Sequence, residues 1–124
     1  MKRIVVISTV LFALHSAEEA LTKFWETDPS FLLTKTFGLK PEVAYWLAQS
    51  LLYIFLFLTY RYLHTPREKA TLFVLGVILA FEFWHPLATL QAGTYVSGLV
   101  TGMLISVFSV WYWVKLYNYL KDKH

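Results

Sequence analysis

Cysteine is absent from the 124 residues, so neither a disulfide nor a thiolate metal site can form. Charge is scarce as well. Asp, Glu, Lys and Arg make up 15% of the chain against 57% hydrophobic residues, more apolar surface than a soluble domain of this length can hide. The net charge of +3 is small and dispersed, which excludes an electrostatic nucleic-acid surface. No repeat or low-complexity tract interrupts the chain, and its length suits one domain. What is there is apolar, with a mean hydropathy of +0.52, and lipid is its natural solvent.

A helix needs about 20 apolar residues to cross a hydrocarbon core. Four stretches qualify, at about 4–21, 43–62, 70–90 and 94–116. Polar or turn-forming segments separate them, with Pro41 and Pro66 at helix starts and Gly93 in a tight turn. Segment 30–40 is too short to span and reads as an amphipathic or re-entrant piece at the interface. The expectation is an all-α, four-helix transmembrane bundle forming a single domain. Lys2-Arg3 and the apolar run after them have the look of a secretory signal. However, His15 stands where cleavage after Ala17 would need a small residue, so the first segment reads as a retained span.

Eight of the 11 Lys and Arg residues fall on the side of the termini and three on the other. By the positive-inside rule both termini are expected in the cytoplasm. Trp111-Tyr112-Trp113 with Tyr117 and Tyr119, beside Lys115 and Lys121, reads as an interfacial anchor. His64, in a short turn, reads as solvated.

Ionisable groups inside a bilayer are costly and mark functional sites by default. The first span carries His15-Ser-Ala-Glu18-Glu19, three polar groups on one helical face. The third carries Glu82-Phe-Trp-His85, again on one face. At 1.5 Å per residue both clusters lie roughly 16–22 Å along their spans, at one level in the outer half of the membrane. One polar site between spans one and three is the economical reading. Pro86 frees a backbone carbonyl near Glu82, a kink that suits a polar cavity. Tyr45, Gln49, Tyr53, Tyr95, Ser97 and Thr101 lie at comparable depth.

Imidazole and carboxylate suit zinc, iron or manganese. Three Glu and two His are one carboxylate short of a di-iron set, so a mononuclear ion, zinc by preference, fits better. His15, Glu19 and His85 are the expected ligands, with Glu18 or Glu82 as general base. The expected activity is hydrolysis of a lipid-soluble small molecule. Two alternatives use the same residues: metal-free acid–base isomerisation of a lipid or sterol-type substrate, and proton or ion transport, which would call for a homo-oligomer.

The His15-Ser-Ala-Glu18-Glu19 segment, His85, and Tyr95-Val-Ser-Gly98 together resemble the HXXEE-motif family of small prokaryotic integral membrane proteins. Ser97 stands where that family has a proline. The resemblance implies that His15, Glu18, Glu19, His85 and Tyr95 form one recurring constellation. The family has no settled activity, so the resemblance supplies no substrate.

Overall fold

A computed structural model describes residues 1–123, all of its regular structure helical. Six α-helices follow in order: α1 Lys2–Leu21, α2 Pro29–Leu32, α3 Pro41–Tyr62, α4 Glu68–Phe81, α5 Trp84–Ala92 and α6 Leu99–Asp122. Counting α4 and α5 as one rod, four are long and apolar enough to cross a membrane. They pack as an up-down-up-down ring in which α1 touches α3 and α6, and α4 touches the same two. An even number of spans brings both termini to one end. There Glu68, at the start of α4, meets Tyr119 and Lys123 at the end of α6.

The core of this end and the middle is Val5, Phe12, Leu56, Leu72, Leu75, Leu79, Ile105, Tyr112 and Leu116. Between bilayer-spanning helices, close packing replaces the hydrophobic drive. Small hydroxyl residues sit at the contacts and bond their own helix: Ser8 to the Ile4 carbonyl at 2.9 Å, Thr59 to Phe55 at 2.9 Å, and Ser106 to Gly102 at 2.7 Å. Gly76 admits the Trp113 indole, which a Cβ would meet at 2.7 Å. Tyr112 therefore does not belong to an interfacial anchor. It is fully buried and donates to the Leu72 carbonyl at 2.7 Å, while Trp111 and Tyr117 face outward.

Two expected spans are altered near the site. The third is interrupted at Glu82–Phe83. Proline has no N–H to offer the carbonyl four residues back. The Glu82 carbonyl accepts instead from His85 N at 3.2 Å, a tighter turn that splits α4 from α5. The fourth begins at Leu99, because Gly98 takes φ +85° and leaves Tyr95 and Ser97 in a connecting loop. Segment 30–40 holds the end of α2 and a 3₁₀ turn, Leu33–Phe37, ended by Gly38 at φ +75° and packed against α3. His64 is exposed, as its turn suggests.

The candidate His/Glu site

The site lies where α1, the α4–α5 break and the start of α6 meet. Its hydrogen bonds can be counted proton by proton. Glu18 accepts from Thr101 N at 2.7 Å, Thr101 Oγ1 at 2.8 Å, Tyr95 Oη at 2.6 Å and Val100 N at 3.2 Å. A carboxylate with four donors is acceptor-only, and here it caps the N-terminus of α6 from a neighbouring helix. Its hydroxyl proton spent on Glu18, Thr101 Oγ1 must accept from His15 Nδ1, 2.7 Å away. His85 Nδ1 likewise donates to the Ser97 carbonyl at 2.9 Å. Both imidazoles are thus protonated at Nδ1, the orientation that backbone and hydroxyl partners impose on metal-ligating histidines.

Both Nε2 atoms then turn to one place. Glu82 Oε2 lies 2.9 Å from His15 Nε2 and 3.2 Å from His85 Nε2, and Glu19 Oε1 lies 3.4 Å from His15 Nε2. Glu82 Oε2 is buried without a directed hydrogen bond. His15, Glu19 and His85 can each bring one ligand atom within 4.8 Å of the others. With both rings neutral, two nitrogen lone pairs face carboxylate oxygens and repel unless a proton or a metal cation stands among them. The edge of a tetrahedron about zinc with ligands at 2.0–2.1 Å is about 3.3 Å, beside 2.9–3.4 Å for the three nitrogen–oxygen contacts here. The donor set fits a transition-metal ion.

Glycine makes the approach possible. A Cβ on Gly98 would stand 2.7 Å from His85 Cε1 and 2.9 Å from His15 Cε1, and one on Gly102 would stand 2.9 Å from His85 Cβ. The rings themselves meet edge to face at 4.7 Å. Across from them, a turn with Lys23 at φ 50° folds Phe24 inward against His85, 5.6 Å between centroids. A cavity of about 430 Å³ opens on the site, lined by His15, Glu19, Glu82 and His85 with Phe24, Asp28, Gln49, Phe81 and Trp84.

Of the residues expected from the sequence, His15, Glu19, Glu82 and His85 converge on one point. Glu18 and Tyr95 do not. Glu18 is turned toward α6, and Tyr95 donates to it from the half-exposed rim. Partial burial and the Glu18 carboxylate push the Tyr95 phenol up, so it stays a donor. Ser97 contributes its backbone carbonyl to His85, whereas its hydroxyl meets Thr22. Sequence reasoning missed Asp28, which lines the cavity while its Oδ1 caps Ser30 N at 2.9 Å. The Asp-Pro-Ser turn was its only signal. Gln49 and Tyr53 reach the same region through Ser16, whose Oγ lies 2.7 Å from Gln49 Oε1 and 2.9 Å from Tyr53 Oη.

Four apolar helices around a buried His/Glu cluster define the class: a helical membrane bundle with one polar intramembrane site. Residues 6–112 match the model of a family described as proteins of unknown function with an HXXEE motif, and the chain belongs to that family. No curated protein matches it, and no solved structure does.

Proposed function

We propose that the chain is a membrane-embedded metalloenzyme, hydrolase-like, acting on a lipid-soluble substrate. The observation that carries this reading is the convergence of both Nε2 atoms on Glu82 Oε2, at 2.9 and 3.2 Å, while both Nδ1 atoms are engaged by Thr101 and the Ser97 carbonyl. His15, His85 and Glu82 are the ligands, zinc favoured and iron or manganese suitable. Glu19 is the general base: its side chain lines the cavity, with Oε1 3.4 Å from His15 Nε2. This reverses the order of Glu19 and Glu82 suggested by sequence, because Glu82 Oε2 alone is within 3.2 Å of both imidazoles. A bound ion of this kind supplies a polarised water at neutral pH. Glu19 would take its proton, while Phe24, Phe81 and Trp84 present apolar walls to the substrate.

Elemental analysis of the detergent-purified protein beside His15→Ala and His85→Ala tests the site. Near-stoichiometric metal in the parent and loss in both variants is the expected result. No metal, even after incubation with zinc, iron or manganese, overturns it. Glu82→Gln should then lose the ion. Glu19→Gln should keep it and lose hydrolysis of p-nitrophenyl decanoate.

A second reading follows from the same lone-pair crowding, since protons can relieve it as well as a metal. The ring nitrogens and carboxylates then form an acid–base set for isomerisation of a lipid-soluble substrate. Turnover that survives chelation would favour it. Against it stands the poor aim of both ring nitrogens at Glu82 Oε2, which has no directed donor.

A further inference from the structure

A second cavity, of about 500 Å³, abuts the first. Phe24, Asp28 and Trp84 line both, so the two cavities share a wall. The outer cavity runs along α5, where Trp84, Ala88 and Ala92 fall at i, i+4 and i+8 on one helical face. The two alanines leave a trough that longer side chains would fill. Its volume lies in the range that takes a drug-sized ligand. Thr22, Thr27, Asp28, Tyr95 and Ser97 supply polar groups at its rim and ends, and Phe24, Pro29, Trp84 and Val96 join the alanines in the apolar part of its wall. A small polar substrate would have no use for an alanine-floored trough beside the reaction cavity.

We infer that the trough holds the apolar chain of an amphipathic substrate, whose polar reacting group enters the His/Glu cavity past Phe24 and Trp84. The inference rests on the metalloenzyme reading for what happens at the polar end. The chain itself is recognised by apolar contact. Each methylene buried there strengthens binding by about fourfold, so affinity climbs with chain length until the trough is full. Ala88 and Ala92 set that limit, and Trp84 and Phe24 set the width of the passage.

Because the protein has no cysteine, Ala88→Cys creates a single thiol in the trough. Its labelling by a maleimide is followed in lipid nanodiscs with decanohydroxamate or acetohydroxamate, zinc-binding groups with and without a long chain. Val107→Cys, on the outward face of α6 at 74% exposure, controls for chains dissolving in the bilayer. Decanohydroxamate should slow labelling at position 88 at least tenfold, leave position 107 unchanged, and outdo acetohydroxamate at equal concentration. No protection at position 88, or equal protection at both positions, overturns the trough. Ala92→Cys repeats the measurement if Ala88→Cys does not fold. Zinc content of the same samples separates the two readings. Zinc without protection removes the trough and leaves the metal site standing. Protection without zinc does the reverse.

Discussion

Gly98 combines a φ of +85° with contact to both histidines. In Gly98→Ala the backbone conformation alone costs about 1–2 kcal/mol, and the added methyl would sit at 2.7 Å from His85 Cε1. The rings must part, so zinc affinity is expected to fall at least about tenfold, the scale of disturbing a ligand's orientation. Competition against a chromophoric chelator measures it. Thr101→Val removes the acceptor that holds His15 Nδ1 and should cost about 10–100-fold in the same assay. Glu18→Gln makes a contrast. It weakens a charged helix cap, so thermal stability should drop by about 1–2 kcal/mol, with metal still stoichiometric. If Glu18 were instead the reaction's base, stability would hold and turnover would vanish. The motif residues were legible as a polar face in the sequence, but this division of labour was not. Glu18 and Glu19 differ only in which neighbour each meets, and the partners of Glu18 lie 77 to 83 residues away. The Ser97 carbonyl leaves even less trace, since every residue has one.

At the scale of elements, the break between α4 and α5 is what aims His85. Pro86→Ala would return an N–H to the Glu82 carbonyl and allow one continuous helix. Stability should rise and zinc affinity should fall at least about tenfold, the trade-off common when a strained site is relaxed. Melting curves and chelator competition on the same preparation test both halves. The far end of the same rod is tied differently. Glu68 is buried and accepts from His64 N at 2.8 Å, Lys123 Nζ at 2.9 Å and the Tyr119 hydroxyl. The Tyr119 hydrogen bond and then Glu68 hold the Lys123 ammonium above its ordinary value of 10.5. A raised amine stabilises the fold fully below its unfolded pKa of about 10.4 and ceases to do so as pH climbs through the folded one. The Tm of the parent should therefore decline more than that of Lys123→Met between about pH 9 and 11.5. Pro86 announced the break in the sequence. Nothing announced the clamp, because Glu68 at a helix start and Lys123 at a chain end each read as ordinary solvated charges.

For the molecule as a whole, four spans and a shared end for both termini make topology a single choice. The cationic residues crowd the end that carries the termini, so reporters fused before Met1 and after the last residue are both expected in the cytoplasm. A reporter found outside would invert the bundle and place the site in the inner leaflet. The spans were legible because length and apolarity are written residue by residue. Depth was legible too, since 1.5 Å per residue puts His15 and His85 at one height without coordinates. Which faces turn inward was harder. Tyr112 looked like part of a belt and is core, because Gly76 opens a gap on α4 that the aromatic pair at 112 and 113 fills.

The Glu18 cap also bears on how the chain is made. The first span is synthesised before any of its partners, and Tyr95, Val100 and Thr101 follow about 80 residues later. At 5–20 residues per second that is a wait on the order of 4–16 s, with a carboxylate in or beside hydrocarbon and nothing to satisfy it. A ribosome that stops short of α6 leaves that deficit permanent. The carboxylate that closes the finished bundle is thus left open in every unfinished one, beside His15, which waits in the same span for Glu82.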